Sequence, residues 1–356
     1  MTDGPMSSWD LEVSRADLSV IRVVSGTQPL GEGEVLLAVE RLAVTANILT
    51  YGSLGDELGY WRLFPAAPGW GRIPAWGHAV VVGSRRPDFD LGARYFGMLP
   101  MSSHVAAKPR RTRHGFADDE PSRRSLSAVY NQYFDTGRQT LVAMENAALF
   151  RPLIVASFVL DAYLREVAFF GARQVVVTSA SSKTALGLAM LLEGVIPTVG
   201  ATSSDRLDFV EKAGVYAQAY AYGNPRAIAR DKKTLIVDFA GDDQFLATLR
   251  AEIGESVARI CPVGGTHWRA ATWQVSAADV EVFFAPAHIE RLVGERGAAR
   301  FEDQLTHALD EFAEASSGWF SRTYADGREG LSQAYRDLIA RKIDPSQLVI
   351  ARPNPG

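Results

Sequence analysis

The residue types best suited to chemistry sit in one turn, Thr178-Ser179-Ala180-Ser181-Ser182-Lys183-Thr184-Ala185-Leu186-Gly187. It follows the apolar run Gln174-Val175-Val176-Val177 and opens a helical segment over 184–193. Small side chains let backbone N–H groups approach a ligand. A helix N-terminus carries partial positive charge, and hydroxyls and one ammonium surround it, so the turn suits an anion. The glycines of the G-x-G-x-x-G fingerprint are absent, and Lys183-Thr184 lacks the flanking glycines of a P-loop. The same serines equally read as caps for the first helical N–H groups. After the next apolar strand, Thr198–Thr202, the chain reads Ser203-Ser204-Asp205-Arg206. An NAD site places an acid at that strand end for the ribose 2′-OH, whereas an NADP site uses small polar and basic residues. Ser203, Ser204 and Arg206 fit a 2′-phosphate and favour NADP(H); Asp205 fits a ribose hydroxyl or a helix start.

The elements that must position these groups follow from apolar periodicity. Helices are expected at 150–170, 184–193, 205–213 and 243–253, and buried strands at 174–178, 198–202, 235–239 and 257–260. Strand and helix alternate with short loops, which predicts a doubly wound parallel sheet of Rossmann type. Upstream the pattern differs. Strands at 33–40, 42–45, 79–83 and 94–97 are separated by Gly/Pro/aromatic-rich chain over 51–73, as in a small, mostly antiparallel barrel with long loops. Residues 108–124 carry Lys108, Arg110, Arg111, Arg113, Asp118, Asp119, Glu120, Arg123 and Arg124. They read as a solvated loop, with a phosphate-binding edge as the sharper alternative. The tail 301–340 reads as helical, and Leu348-Val349-Ile350 as a last strand that returns to the first domain. Domains are expected at 1–147, 148–300 and 301–356.

Composition bounds the rest. The 356 residues are 47% hydrophobic and 22% charged with net charge −4, a globular profile without the basic field that attracts nucleic acid. The single cysteine, Cys261, leaves no intrachain disulfide and no multi-cysteine metal site. No basic n-region and apolar core open the chain, and charges interrupt the apolar stretches short of membrane-spanning length, so a cytoplasmic protein is expected.

Residues 33–100 followed by the strand–helix series resemble the medium-chain dehydrogenase/reductase superfamily, in its zinc-free quinone-oxidoreductase and enoyl-thioester-reductase branch. The resemblance rests on Val44-Thr45-Ala46-Asn47, on 69–83 with Gly77-His78, on Asp90-Leu91-Gly92-Ala93-Arg94-Tyr95-Phe96-Gly97, and on 175–192. More narrowly, 47–51, Tyr60-Trp61, Tyr130-Asn131-Gln132-Tyr133 and 179–185 are similar to an uncharacterised bacterial and fungal side family. The resemblance implies a GroES-like first domain and a Rossmann-like second one. It places Ser181, Ser182 and Lys183 at the pyrophosphate, with Ser179 and Thr184 in the same turn. Ser203, Arg206 and Tyr222 would surround the 2′-phosphate, and Ala240, Gly241, Val263 and Gly264 would border the ribose and nicotinamide. A homodimer is the oligomeric state the superfamily suggests. The zinc-binding branch needs a His-Glu pair, but Ala79 follows His78, so no metal is expected.

Tyr60 lies near the position of the tyrosine that acts in enoyl-thioester reductases. A phenol or amide donor accelerates hydride addition to a conjugated double bond by serving the charge that develops on the carbonyl oxygen. Tyr60, Tyr51 and Asn47 are the candidates; buried aromatic packing and a turn amide are the alternatives. Trp61, Phe64, Tyr130, Asn131 and Tyr133 are candidates to line an apolar substrate cleft, with ordinary core packing equally compatible. Cys261 reads as inert packing. The expected activity is zinc-independent, NADP(H)-dependent reduction of an enone, quinone or enoyl thioester. The alternative is a non-redox binding or assembly protein whose nucleotide site takes another phosphorylated ligand, such as a coenzyme A thioester.

Overall fold

Leu11 and Val13 are fully buried on β1 (Met6–Ser14), which pairs antiparallel with β2 (Ile21–Gln28). The computed structural model describes residues 6–137, 139–223, 228–263, 280–281 and 283–354. The run Val-Leu-Leu-Ala-Val opens β3 (Val35–Val44), which is buried on both faces, as a near-continuous apolar strand should be. The short helix α1 (Asn47–Ser53) follows, then β4 (Trp70–Gly71), β5 (Pro74–Ser84), β6 (Arg94–Pro100), β7 (His104–Ala107), β8 (Pro109–Thr112), β9 (Gly115–Asp118) and β10 (Gln132–Asp135). A long helix, α2 (Leu141–Glu166), leads out of this region.

The second half builds the parallel sheet. β11 (Gln174–Val177), α3 (Lys183–Leu191), β12 (Thr198–Thr202), α4 (Leu207–Ala213), β13 (Gln218–Ala221), β14 (Thr234–Asp238), α5 (Asp243–Ile253) and β15 (Val257–Pro262) follow one another as the periodicity predicts, except that β13 is a strand the apolar pattern did not single out. The strands run parallel in the order β13-β12-β11-β14-β15. The order reverses beside β11, so the crevice at its carboxyl end is where an open α/β sheet binds ligands. Two helices, α6 (Ala285–Arg296) and α7 (Ala298–Ala315), complete this unit, which spans Phe150–Phe320.

The chain then returns to the first unit, formed by Met1–Leu149 and Ser321–Gly356. β16 (Ser321–Asp326), α8 (Gly327–Ile339) and β17 (Gln347–Arg352) close it. β17 pairs antiparallel with β3 and parallel with β16, inside a nine-stranded sheet that is otherwise antiparallel. The architecture is thus a Rossmann-like parallel sheet plus a GroES-like, mostly antiparallel unit. The tail is not one helical stretch, because β16 interrupts it. Its side chains are mostly exposed, so pairing with β17, rather than an apolar pattern, makes it a strand. α2 is the one helix among the described residues that is long and apolar enough to cross a membrane, contrary to the expectation from charge spacing. Half of its apolar window is buried within the protein, as in the core helix of a globular domain.

The charged stretch 108–124 is no plain solvated loop. It forms the β8–β9 hairpin, in which Arg110 pairs with Asp119 at 2.8 Å and Lys108 with Glu120 at 2.8 Å. Arg123 and Asp118 leave solvent altogether, with side chains each 2% exposed and an Nε–Oδ2 distance of 3.2 Å. The guanidinium also donates to the Leu63 carbonyl and lies 4.6 Å from the Phe64 ring centroid. Asp118 accepts the backbone N–H groups of Lys108 and Glu120. Of the cations a phosphate-binding edge would use, Lys108, Arg110, Arg111 and Arg123 already face carboxylates.

Two predictions follow from buried charge in this unit. Replacing Arg123 with Met strands the Asp118 carboxylate, and the urea-unfolding free energy should fall by about 3–5 kcal/mol. Removing both charges (Asp118→Leu with Arg123→Met) should recover part of that loss. His78, fully buried on β5, bonds through Nε2 to the Met144 carbonyl at 2.8 Å. Burial depresses its pKa to about 4, with the Arg41 charge adding to the effect against that bond. The unfolded chain therefore binds the proton first, and stability is lost as pH falls from about 6.5 to 4, by about 3 kcal/mol. His78→Gln should flatten that slope in urea titrations across the window; an unchanged slope would refute the assignment.

Candidate active site

The carboxyl ends of β11 and β14 are tied by one buried side-chain pair. Thr178 Oγ1 donates to Asp238 Oδ1 at 2.5 Å and accepts the Phe239 and Ala240 N–H groups at 2.9 and 3.0 Å. Asp238 is 1% exposed, and its carboxylate also accepts from Ala240 N and from Gly241 N at 3.1 Å each. Burial raises the Asp238 carboxyl pKa, while the Thr178 hydroxyl and these backbone donors pull it down. The result is a rigid turn at Ala240-Gly241, with Gly241 at φ 63° where a side chain would be strained. The backbone N–H of Val263 donates to the Asp238 carbonyl at 2.8 Å, which brings Val263 to the same edge. Gly264 lies outside the described residues. The composition of this turn did not single out Thr178 and Asp238; a hydroxyl after one core strand and an acid at the end of the next were the signal available.

The turn after β11 is shaped by Ser179, held at φ 49°, a left-handed conformation uncommon for a residue other than glycine. Its N–H donates to the Tyr222 hydroxyl at 2.9 Å. Burial pushes the Tyr222 phenol up to about 12 against that bond, so it is protonated near neutral pH. Tyr222 therefore buttresses the turn directly. Ser182 caps α3, its Oγ accepting from Ala185 N at 3.3 Å, so the capping role is real at this position. Ser181 is nearly buried, with Oγ 3.4 Å from Thr202 Oγ1. Thr184 contributes its carbonyl to the Ser157 hydroxyl at 2.7 Å, which fastens the start of α3 to α2. The Lys183 ammonium lies 5.0 Å from the Phe320 ring centroid, a cation–π contact on the side-chain stem's reach from the turn.

At the end of β12, Ser203 and Arg206 meet on one carboxylate. Ser203 Oγ donates to Asp205 Oδ1 at 2.5 Å, and Arg206 Nε lies 3.0 Å from Asp205 Oδ2. Ser204 is exposed and starts the short 3-10 turn Ser204–Arg206. At the N-cap positions of that turn and of α4, the Ser203 and Arg206 side chains make no cap bond. Taken together, the sheet edge gathers hydroxyls, an ammonium and a guanidinium around a helix start, a donor set that fits a dinucleotide's phosphates.

In the other unit the candidate acids do come together. Tyr60 and Tyr130 hydroxyls are 2.9 Å apart, and the Tyr51 and Tyr60 rings meet edge-to-face at 4.9 Å. Trp76 Nε1 donates to the Tyr51 hydroxyl at 2.9 Å, and Asn47 hydrogen-bonds the same phenol. Burial drives all three phenols up, Tyr60 to about 12. Either hydroxyl of the Tyr60–Tyr130 pair can donate, and the bond works against burial at Tyr60.

The remaining cleft candidates are packing residues in this conformation. The Trp61 indole is 4% exposed and wedged where Cβ atoms on Gly55 and Gly71 would lie 2.2 and 2.3 Å from it. Phe64 lies under the Arg123 guanidinium. Tyr133 donates to the Met98 carbonyl at 2.6 Å, stacks on Phe116 and fills the space left by Gly97. Asn131 Nδ2 donates to the Arg123 carbonyl, while its buried Oδ1 has no partner. Of this group, Tyr130 alone joins the tyrosine cluster. Cys261 is buried on β15, its thiol pushed up to about 12 by burial, too high to supply a thiolate at neutral pH. Among the described residues, no group of His, Cys, Asp and Glu has the spacing to hold a metal.

Comparison with known proteins extends this picture. No curated protein sequence matches the chain. Among solved structures, CurA from Vibrio vulnificus in complex with NADPH is 12% identical, with a TM-score of 0.61 over 98% of this chain and 100% of that one. The Etr1p complex with NADP and crotonyl-CoA is 10% identical, with a TM-score of 0.55 over 98% and 100%. S. aureus TarJ in complex with NADPH is 10% identical, with a TM-score of 0.56 over 98% and 99%. At these identities the likeness is one of fold, and it runs the length of each chain. A family model described as a protein of unknown function matches residues 42–344, and the chain belongs to that family, DUF2855.

Proposed function

We propose that this protein is a zinc-independent, NADP(H)-dependent reductase of a conjugated or carbonyl small molecule, of the enone, quinone or enoyl-thioester type. The observation that carries the reading is the donor-lined turn between β11 and α3 at the point where the strand order reverses, beside the fixed Ala240-Gly241 turn. The solved structures of the same fold with NADPH or NADP bound support it, and the crotonyl-CoA in one of them supports the substrate class.

In this reading Ser179, Ser181, Ser182, Lys183 and Thr184 form the diphosphate seat, with Ser179 set by Tyr222. Ser203, Ser204 and Arg206 take the 2′-phosphate end, and Ala240, Gly241 and Val263 border the ribose and nicotinamide. Bound NADPH supplies the hydride. Tyr60 supplies the proton: a phenol with a pKa near 12 stays protonated at neutral pH, and the Tyr130 hydroxyl at 2.9 Å offsets the charge left on its oxygen. Tyr51, held by Trp76 and Asn47, packs the Tyr60 ring in place.

Nicotinamide fluorescence should report NADPH binding by the purified protein, and Lys183→Ala should weaken it about tenfold, the scale of one charge-assisted contact. No binding at millimolar NADPH would overturn the reading; binding indifferent to Lys183→Ala would remove that residue from the diphosphate seat. With an enone or enoyl-thioester probe, Tyr60→Phe should lower kcat by about 10²- to 10⁴-fold with NADPH affinity unchanged. A full-rate Tyr60→Phe enzyme would exclude the phenol as the acid.

A further inference from the structure

The first unit leaves one strand unpaired along a whole side. β2 lies at the edge of its three-stranded sheet, in the order β2-β1-β4. The bonding of β1 fixes which groups of β2 face outward. Ser14 N–H donates to the Val20 carbonyl at 2.9 Å, toward β2. Leu11 N–H donates to the Met101 carbonyl and the Trp9 carbonyl accepts the Ser103 N–H, both at 2.9 Å and on the opposite side. Bonds alternate along an antiparallel ladder, so Arg22, Val24, Gly26 and Gln28 bond to β1 in the register that sets Met6 opposite Gln28. The N–H and C=O groups of Ile21, Val23, Ser25 and Thr27 then point out of the sheet, and among the described residues no bond reaches them. We propose that this edge is an interface between two copies of the chain, joined antiparallel about a two-fold axis at Val24. The proposal stands apart from the nucleotide reading.

Exposed edges are normally guarded by Lys, Pro or a bulge. β2 contains no Lys or Pro, and its register with β1 runs without a break. Its one charge, Arg22, is turned back onto its own sheet. The guanidinium donates to Glu12 Oε2 at 2.6 and 2.8 Å and lies 3.9 Å from the Trp70 ring centroid. Val23 and Val24 are 40% and 37% exposed. With Val24 on the axis, Ile21 falls opposite Thr27 and Val23 opposite Ser25, so every outward N–H and C=O gains a partner. Arg22 falls opposite Gly26, which has no side chain to displace it, and no like charges meet. Any extended strand could use these donors; the fit of bulky against small residues and the absence of opposed charges favour a second copy. A contact confined to one strand pair falls at the small end of specific interfaces, below about 1,200 Å² in total, so the dimer is one that dissociates on dilution.

Sedimentation equilibrium of the full chain over a concentration series gives the dimer dissociation constant. Ser25→Pro removes an outward N–H while leaving the bonds to β1, and should raise that constant about tenfold or more. Val24→Lys and Val24→Glu each set like charges across the axis, and each should behave as a monomer at concentrations where wild type is a dimer. Mixed one to one, those two variants should recover the dimer. Thermal unfolding midpoints near the wild-type value show that the hairpin is intact. A wild type that is monomeric at every concentration would overturn the proposal and leave the edge to a strand of a different protein. A wild-type dimer whose constant none of the three variants changes would overturn it as well, by placing the interface elsewhere. Failure of the mixture to recover the dimer would overturn the axis at Val24.

Discussion

A buried carboxylate holds the working edge of the parallel sheet together. Asp238 ends the strand next to β11, and its two oxygens organise the Thr178 hydroxyl and two successive N–H groups. A carboxyl group 1% exposed to water is tolerable only when its oxygens are hydrogen-bonded. Here that satisfaction does structural work, fixing the turn after β14 against the turn after β11. Everything placed at this edge, from Ser179 and Tyr222 to Ala240-Gly241 and Val263, inherits its position from that network.

The turn itself shows how a fold can keep a geometry while changing the residues. A glycine would reach φ 49° without strain; this chain uses Ser179 and gives its N–H a phenol as partner. Local strain of this kind persists where surrounding bonds over-determine the backbone, which is common at ligand sites. The consequence is a turn richer in hydroxyls than the glycine form, with the Lys183 ammonium over the Phe320 ring and backbone N–H groups partly committed to internal partners.

The antiparallel unit follows a different logic. Its polar interior includes an ion pair, Arg123 with Asp118, beside Phe64 and Tyr133. Near it lies a set of phenols whose protons are held tightly by burial. Tyrosine rings contribute packing and a polar end at once, so the same residues that fill this region also present the hydroxyl pair. That dual role is why aromatic content alone separates core from cleft poorly: Trp61 and Tyr133 are locked among glycines and backbone carbonyls, while Tyr130 reaches Tyr60.

The sequence by itself determined the alternating strand–helix series, the turn that follows β11, and the Tyr60, Tyr51 and Asn47 candidates, because apolar periodicity and local residue chemistry are properties of short segments. Tertiary structure decided what depends on distant partners. β16 is a strand because β17 lies beside it, although the segment sits between two helical patterns. Arg123 and Asp118, alike in type to the exposed charges around them, are buried because the hairpin and the 3-10 turn after it bring them together under Phe64. Asp205 lies on Ser203 and Arg206, and Thr178 on Asp238, through side-chain geometry that residue identity does not specify. Charge and hydroxyl content can be counted along a chain; which of those groups spend their bonds on each other depends on distances that exist only after folding.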